Sequence, residues 1–409
     1  MGWENRGENR SAFWYMKIAQ LISLYIPDGV GGAQICVHNI ARQLVAYGHE
    51  VIVITPQRKI KCGFLGYEVI EIPKILMKFL SHRLPFSKQI FVSYLAGLQR
   101  RHKFDIWQVT MGYPFGVFAV DFFKEYDIPC VLRCSGEDIQ KDYNVSYGYR
   151  IDSKIDCVIR ESYPKFDAVV AISKTMSDEY HALQIPDEKI HLIPNGVDYR
   201  RFQSIQRSGA LHQRYGIIGD KKIILTVGRL HPKKGYDLIP KIIGQLLQKR
   251  DDFVWLVIGR GSGAIRALAS IRKIGEHLIT EEEICVDNDS DDATSIPSSR
   301  LIGYYKNADI FVFPSYIETF GIVLMEAMAA GIPVVTTDAH GCRDVVTHEK
   351  TGLIAPVGHV QRIADHISRV FDDSHLRQSL IKEGLRTAYA HDWDIVAQKY
   401  ARLYESLVL

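Results

Sequence analysis

The chain has 409 residues, of which 47% are hydrophobic and 24% are charged. This composition is typical of a globular protein long enough for two domains of about 150 to 200 residues each. A net charge of +3 is too small to predict a nucleic-acid-binding protein, for which a strongly basic surface is expected. The seven cysteines are odd in number and form no CxxC pair, which excludes the usual patterns of a zinc site or a disulfide framework and favours a reducing compartment.

The amino terminus shows no targeting signal. Residues 1–15 are polar and precede an apolar run that begins at Met16, so we interpret them as an extension and Met16 as the candidate start. No run approaches the ~18 consecutive apolar residues of a membrane-spanning helix. We therefore expect a cytoplasmic protein that neither spans a membrane nor is secreted.

From Lys17 onward, short apolar runs alternate with longer segments of helical pattern. This alternation predicts parallel sheets covered by helices on both faces. A polar interval over residues 203–221 separates two series of such runs, so two doubly wound α/β domains in tandem are expected. The runs expected to form strands are KIAQLIS, HEVIVIT, FDIWQVT, CVLRCS, FDAVVAIS and IHLIPNG, then KIILTVG, FVWLVIG, ADIFVFP, IPVVTTD and TGLIAP.

A basic motif, VGRLHPKKG, follows one predicted strand of the second series. Ligands of open α/β sheets bind outside the carboxyl ends of the strands. The motif brings Arg229, Lys233 and Lys234 to such an end, just before a helix expected near Gly235. Cations beside free helix amides form an anion site. A solvated basic turn is the alternative interpretation of this motif when it is taken alone.

Two glycine-rich segments also follow predicted strands. Gly31 and Gly32 in GGAQ precede the first long helix, where their backbone amides could approach a phosphate closely. A plain turn between strand and helix explains them equally well. GRGSG, at 259–263, lacks the full GxGxxG spacing, so a dinucleotide-binding oxidoreductase is not supported.

Glu318 and Glu326 lie eight positions apart in the apolar segment ETFGIVLMEAMAAG. A helix that is apolar nearly all round is buried, and a buried glutamate needs a partner. If the segment were fully helical, eight residues would span about 12 Å. Two carboxylates at that separation suit the two hydroxyl-bearing rings of a nucleotide-sugar.

The helix amino terminus between the two glutamates would supply further groups. The amides of Phe320, Gly321 and Ile322 would face the phosphates of such a ligand. One alternative for Glu318 is a capping box with Ser315. The alternative for Glu326 is a buried ion pair, which we rank below ligand binding.

In combination, these motifs resemble the retaining glycosyltransferases of family GT4, which have the GT-B fold. The segments that carry the resemblance are GGAQ, IPNGVD, VGRLHPKKG and ADIFVFPSYIETFGIVLMEAMAAGIPVV. The resemblance implies two Rossmann-like domains that face each other across a cleft. Residues 16–198 would form the acceptor domain and residues 199–391 the nucleotide-sugar donor domain, and a final helix, 392–409, would cross back to the first domain.

The resemblance also implies roles for individual residues. Glu318 and Glu326 match the E-x7-E motif, whose first member holds the hydroxyls of the donor sugar and whose second holds the ribose. Arg229 and Lys234 match the basic pair that neutralises the donor diphosphate, and with Glu318 they form the implied catalytic set. The implied donor-binding residues are Gly31, Gly32, Arg229, Lys233, Lys234, Glu318, Thr319, Phe320, Gly321, Ile322 and Glu326.

The implied reaction moves a hexose-type sugar from a nucleotide-diphosphate sugar to a glycan or lipid-linked saccharide, with retention of configuration. Negative charge grows on the leaving diphosphate, and preorganised cations and amides can meet it. We therefore expect no metal and no other cofactor. DND, at 287–289, formally matches the DxD of metal-dependent glycosyltransferases of another fold, but its strongly acidic surroundings favour a solvated loop.

Two positions on the acceptor side of the cleft need separate comment. Ser135 stands where many family members have a histidine, and a serine can donate a hydrogen bond but cannot carry a positive charge. Asp138 keeps an acidic position of the family, although a helix-capping role explains it equally well. The sequence does not separate uracil, guanine and adenine as the donor base.

Residues 74–103 give a clue to the acceptor. This stretch holds seven Lys or Arg and no acid, mixed with Phe, Leu, Ile and Tyr. Such a composition suits a membrane surface that carries anionic lipid, so the first domain could dock on the cytoplasmic leaflet and glycosylate a lipid-linked sugar. A core helix with a solvated basic face is the alternative.

Two other functions also stay open: a catalytically inactive nucleotide-sugar-binding protein, and another GT-B enzyme such as a sugar-nucleotide epimerase.

Overall fold

The fold consists of two parallel β-sheets with helices packed on them. A computed structural model of the chain describes residues 14–26, 31–56, 65–81, 86–266, 274–282 and 296–409. Within these residues, every pairing between named strands is parallel. The predicted α/β class with two doubly wound sheets is therefore confirmed.

The first sheet has seven described strands in the order β3-β2-β1-β4-β5-β6-β7. Its strands are β1 (Lys17–Ile22), β2 (Glu50–Thr55), β3 (Glu68–Glu71), β4 (Ile106–Thr110), β5 (Cys130–Arg133), β6 (Ala168–Ala171) and β7 (Ile190–Leu192). The second sheet has six described strands in the order β10-β9-β8-β11-β12-β13. These are β8 (Lys222–Val227), β9 (Phe253–Ile258), β10 (Leu278–Glu281), β11 (Ile310–Phe313), β12 (Val334–Thr337) and β13 (Leu353–Ala355).

The central strands are mostly apolar and almost entirely buried because helices cover both faces of each sheet. All six residues of β9, FVWLVI, are buried. The helices of the first half of the chain are α1 (Gly32–Ala46), α2 (Lys74–Ser81), α3 (Ser87–His102), α4 (Phe115–Glu125), α5 (Ser153–Ser162), α6 (Lys174–Ala182) and α7 (Tyr199–Ser204). The remaining described helices are α8 (Ala210–Tyr215), α9 (Ile239–Leu246), α10 (Ser299–Asn307), α11 (Ile322–Ala330), α12 (Cys342–Val345), α13 (Val360–Asp372), α14 (Ser374–Ala390) and α15 (Trp393–Val408).

The last helix, α15, lies against the first sheet and its helices. Its start is fixed by the Asp392 carboxylate, which accepts a hydrogen bond from the amide of Asp394 at 2.9 Å. Tyr47 at the end of α1 donates to the carbonyl of Asp394 at 2.6 Å, and Tyr404 donates to Gln108 of β4. The domain limits at residues 198 and 391 stay predictions, because the sheets locate the strands and not the limits of folding units.

Candidate functional site

The loop after β8 and the segment after β11 form the centre of the candidate site. The two strands are neighbours in the second sheet, so their carboxyl ends lie side by side. The side chain of Ser315 donates to the carbonyl of Lys233 at 2.9 Å, and the amide of Tyr316 donates to the same carbonyl at 2.7 Å. Gly235 has φ +65°, and a Cβ there would overlap the carbonyl of Pro314. The loop after β8 therefore requires glycine at position 235 to pack against the segment after β11.

Glu318 and Lys234 form a mostly buried ion pair across this contact. The other carboxylate oxygen of Glu318 accepts a hydrogen bond from the amide of Thr319 at 2.9 Å. Burial acts to raise the pKa of Glu318, but Lys234 and Lys233 outweigh it and lower the pKa to about 2. Glu318 is therefore ionised at neutral pH. Ser315 donates to the carbonyls of Lys233 and Ile317, so the alternative capping box with Glu318 is not formed.

Glu326 has a different environment. It is 4% exposed, and its Oε2 accepts a hydrogen bond from the hydroxyl of Tyr305, on α10, at 2.7 Å. Burial raises the pKa of Glu326 to about 7, although the Tyr305 hydrogen bond acts to lower it. No ion pair of Glu326 is formed among the described residues, and its Oε1 has no hydrogen-bond partner among them. The alternative of a buried ion pair is therefore wrong.

The segment between the two glutamates is not one continuous helix. Helix α11 begins at Ile322, and Gly321 before it has φ +82°, a left-handed conformation that favours glycine. The distance expected for a fully helical segment therefore does not apply. Gly321 turns the chain so that Glu318 belongs to the loop and Glu326 to the helix.

Two helix amino termini meet near this loop. Among the residues that the structure describes, no side chain caps α1 or α11, and neither helix has an acid in its first turn. The first amides of both helices can therefore bind an anion. A Cβ at Gly32 would lie 3.5 Å from Cδ1 of Ile322, which shows that the two termini are adjacent. The amides of Phe320, Gly321 and Ile322 donate no backbone hydrogen bond within the described part of the chain. Gly31, Gly32 and these amides are thus brought together as predicted.

The two other predicted cations, Arg229 and Lys233, have surroundings different from those of Lys234. Arg229 is exposed, and its side chain makes no ion pair with a described residue. Lys233 is buried and donates to the hydroxyl of Tyr147 at 3.0 Å, with its Nζ 4.2 Å from the centre of that ring. Lys233 is therefore occupied by a contact between the two halves of the molecule.

The acceptor-side residues lie in a tight loop after β5. Asp138 is fully buried, and its two oxygens accept hydrogen bonds from the amides of Ser135, Gly136 and Gly112 at 2.9 to 3.0 Å. It organises the loop and does not cap a described helix. Ser135 is partly exposed, and its hydroxyl oxygen accepts a hydrogen bond from Arg133 at 2.9 Å.

The residues through which the first half contacts the segment after β11 were not predicted. Thr319 donates to the side chain of Gln140 at 3.2 Å, and its carbonyl accepts from the Ser173 hydroxyl at 2.9 Å. A Cβ at Gly136 would lie 2.7 Å from Thr319 Oγ1. Polar residues of this kind in loops carry no spacing signal, so only the tertiary structure reveals them.

The arrangement can bind an anion flanked by hydroxyl groups. Lys234 and the free amides of two helix termini offer positive charge, and two carboxyl groups whose pKa values are shifted in opposite directions offer hydrogen-bond acceptors. Among the described residues, no group of three or more His, Cys, Asp or Glu side chains could hold a metal ion. The DND motif at 287–289 lies outside the described residues. None of the helices that the structure describes is long and apolar enough to cross a membrane.

Comparison with known proteins agrees with this architecture. The glycosyl transferases group 1 profile matches residues 208–387, and the glycosyltransferase family 4 profile matches residues 30–201. The chain is 27% identical to an uncharacterized glycosyltransferase of Methanocaldococcus jannaschii, over 95% of this chain and 98% of the relative. It is 22% identical to the N-acetyl-alpha-D-glucosaminyl L-malate synthase of Bacillus anthracis, over 96% and 97% of the two chains.

A solved structure shares the fold over nearly the whole length. The crystal structure of Anabaena HepE in complex with UDP and glucose matches with a TM-score of 0.73 and 18% identity, over 96% of this chain and 100% of that one. The two sheets, their order and the two profile matches point to the same group. The chain therefore belongs to the GT4-type glycosyltransferases and has the GT-B fold.

Proposed function

We propose that the protein is a retaining, metal-independent glycosyltransferase that uses a nucleotide-diphosphate sugar. It moves a hexose-type sugar to a glycan or lipid-linked saccharide in cell-surface polysaccharide or glycolipid biosynthesis. The observation that carries this proposal is the Lys234–Glu318 ion pair beside two uncapped helix termini. The UDP and glucose bound by the Anabaena neighbour, which has the same fold, support the choice of donor class.

In this proposal, each part of the donor has its own binding groups. Lys234, Arg229 and the free amides at Gly31, Gly32 and residues 320–322 bind the diphosphate. Glu318 accepts hydrogen bonds from hydroxyls of the transferred sugar, because a carboxylate has about four acceptor positions and this one uses two of them for Lys234 and Thr319. Glu326 accepts from the ribose through its Oε1.

The reaction follows from the charge at the site. As the bond between sugar and phosphate breaks, negative charge grows on the diphosphate. Lys234 is already held in place by Glu318, so it can stabilise this charge without reorganising. The acceptor hydroxyl attacks from the face that the diphosphate leaves, and a phosphate oxygen takes its proton, which preserves the configuration. The cations and amides supply the charge that a metal would otherwise supply.

The acceptor is proposed to lie at the cytoplasmic face of a membrane. Helix α3 buries Phe91, Leu95 and Leu98, so it is a core helix on one side. Around it, Ile75 is 60% exposed, Phe86 is 73% exposed and Ile90 is 43% exposed. The exposed cations Lys74, Lys78 and Arg100 lie in the same segments. Apolar side chains flanked by cations suit the surface of an anionic bilayer.

Vesicle flotation tests this membrane proposal. The protein should float with vesicles that contain anionic lipid at low salt and should stay unbound with neutral vesicles. Replacing Lys74 and Lys78 by Glu should abolish flotation, whereas the control Lys350→Glu, at an exposed position after β12, should not. Equal flotation of both variants would contradict a docking role for α2 and α3.

Thermal unfolding in the presence of UDP, GDP and ADP tests the donor proposal. A ligand that binds only the folded state raises its stability, by about 2.7 kcal/mol at a hundredfold excess over Kd. One of the three nucleotides should raise the unfolding temperature of the wild type and raise that of Glu326→Ala much less. The exposed Glu349→Ala serves as the control. A wild type that responds to none of the three would contradict the proposed function.

A second candidate is a nucleotide-sugar-binding protein without transfer activity. It is favoured by one observation: Asp138 is buried and accepts hydrogen bonds from three backbone amides, which gives this acceptor-side acid a structural role. Release of nucleoside diphosphate from a nucleotide-sugar only when an acceptor is added would exclude this candidate. The same result would exclude a sugar-nucleotide epimerase, which needs no acceptor.

A further inference from the structure

Two arginines of the first half are equally buried but have different partners. Arg133 is 1% exposed and Arg150 is 2% exposed. Arg150 forms ion pairs with Asp156 at 2.6 Å and Glu179 at 2.9 Å, which is how a buried cation is usually neutralised. Arg133 has no ion pair with a carboxylate in the part of the chain that the structure describes. A full positive charge is therefore buried at the carboxyl end of β5 without a counter-charge.

Among the described residues, the polar contacts of Arg133 are all with neutral groups, namely the Cys36 thiol and three oxygens. Its Nε donates to the hydroxyl of Tyr400 at 3.1 Å, its Nη1 donates to Ser135 Oγ at 2.9 Å, and its Nη2 donates to Asn195 Oδ1. Neutral partners satisfy the guanidinium hydrogens but leave its charge in place. Since burying an uncompensated charge is costly, its retention here calls for a function.

The contact with Ser135 fixes the direction of the serine hydroxyl. A guanidinium can only donate, so Ser135 Oγ is the acceptor and its own hydrogen is available for another group. No described residue accepts a hydrogen bond from this hydroxyl. Ser135 is partly exposed, and the next residue, Gly136, is in close contact with Thr319, in the segment after β11. The hydroxyl is therefore available to a ligand between the two halves.

We infer that Arg133 is a positioning residue that holds the Ser135 hydroxyl as a hydrogen-bond donor to an oxygen of the transferred sugar. Arg133 also supplies, from behind the serine, the positive charge that a serine cannot carry. This inference rests on the proposed glycosyltransferase function. It explains how the chain can work with serine at this position, because the contact and the charge are divided between two residues.

A purely structural role is the competing explanation. Arg133 joins β5 to Asn195, in the segment between the sheets, and to Tyr400, on α15. Variants of Arg133 will therefore lose stability under either explanation. The deciding measurement must separate the binding of the sugar from the binding of the nucleotide, because a general loss of structure would weaken both.

The test compares two ligands in matched variants. Dissociation constants are measured for UDP, GDP and ADP, and for the glucose ester of the nucleotide that binds, with the wild type, Arg133→Gln, Ser135→Ala and the double variant. Each single variant should weaken binding of the nucleotide-glucose roughly tenfold relative to the nucleotide alone, the size of one charge-assisted hydrogen bond. The double variant should lose less than the sum of the two single losses, because the serine contact can be removed only once. Arg133→Lys should fall between the wild type and Arg133→Gln, because it keeps the charge.

Arg150→Gln is the control, because it removes an equally buried arginine from the same half. It should reduce stability and leave the ratio of the two dissociation constants unchanged. The inference is overturned if Arg133→Gln weakens nucleotide and nucleotide-glucose equally, or if its loss and that of Ser135→Ala add in full in the double variant. If Arg133→Gln does not fold, Ser135→Ala decides alone, and an unchanged ratio overturns the inference. A wild type that binds none of the three nucleotides overturns the proposed function and this inference with it.

Discussion

Glu318 and Glu326 lie in one buried segment, yet the pKa values of their carboxyl groups are shifted in opposite directions. Glu318 is 7% exposed and Glu326 is 4% exposed, so burial acts to raise the pKa of both. The ion pair with Lys234, together with nearby Lys233, overcomes burial and lowers the pKa of Glu318 to about 2. Among the described residues, Glu326 has only the Tyr305 hydroxyl as a partner, and its pKa rises to about 7. The neighbouring charge, and not the degree of burial, decides which carboxyl is ionised.

The largest expected effect comes from breaking the Glu318 ion pair. Glu318→Gln should lower the free energy of unfolding at pH 7 by about 3 to 5 kcal/mol, because Lys234 is left buried without its counter-charge. Adding Lys234→Met should recover most of this stability but no transfer activity. Urea unfolding measures both variants, with the exposed Glu349→Gln as a control that leaves the midpoint unchanged. A Glu318→Gln variant as stable as the wild type would show that the pair is not formed.

Glu326 should make stability fall as the pH rises. Its folded pKa is raised above its unfolded value, so the folded state binds an extra proton between about pH 4.5 and pH 7. The penalty is absent below this window and complete above it, where it reaches about 3 kcal/mol. Glu326→Gln should therefore match the wild type in free energy of unfolding at pH 5 and exceed it at pH 8. A constant difference across this range would contradict the raised pKa.

Glu318 should show the opposite dependence. Its pKa is lowered, so the stability it contributes is complete above its unfolded pKa and is lost as the pH falls toward about 2. The loss of stability caused by Glu318 therefore lies below pH 4.5 and the loss caused by Glu326 lies above it. Urea unfolding from pH 3 to pH 8 can separate the two.

Tyr305→Phe should sharpen the comparison with a smaller effect. It removes the hydrogen bond to Glu326 Oε2 and should cost about 1 kcal/mol at pH 5. The hydroxyl lowers the pKa of Glu326, so without it the fall in stability should move to higher pH. Unfolding curves at pH 6, 7 and 8 measure this shift. If stability falls over the same pH range in Tyr305→Phe as in the wild type, Tyr305 does not contact the carboxylate.

The smallest effect is expected at Lys233, the neighbour of Lys234. Because Lys233 is held by Tyr147, Lys233→Met should change the affinity for a nucleoside diphosphate by less than about threefold. Lys234→Met should weaken it by roughly tenfold or more. Titration calorimetry compares the two variants directly. Equal losses would place both lysines on the diphosphate, as the sequence predicted.

Much of the fold could be predicted from the apolar runs. Each of the eleven runs expected to form strands contains one of the observed strands. The two strands that were missed, β3 and β10, lie at sheet edges. Edge strands are short and covered on fewer sides, so EVIE and LITE carry charges and show no continuous apolar run.

The site could be predicted only in part. Motifs after neighbouring strands must meet, which explains why Lys234, Glu318 and the free amides were brought together as expected. The partners of the buried polar groups could not be predicted. Tyr305 lies 21 positions from Glu326 and Tyr147 lies 86 positions from Lys233, and tyrosine is common in ordinary cores. The uncompensated charge of Arg133 became visible only when its neighbours were known.

The most direct test of the account is calorimetric titration of the nucleoside diphosphate into the wild type, Glu318→Gln and Glu326→Gln at pH 8. Glu326 is proposed to bind the ribose and Glu318 the transferred sugar, which this ligand lacks. Glu326→Gln should therefore weaken binding roughly tenfold to hundredfold. Glu318→Gln should leave the affinity equal or higher, since Lys234 loses its intramolecular partner. Equal weakening in both variants, or weakening in Glu318→Gln alone, would contradict the assignment of the two carboxylates to different parts of the donor.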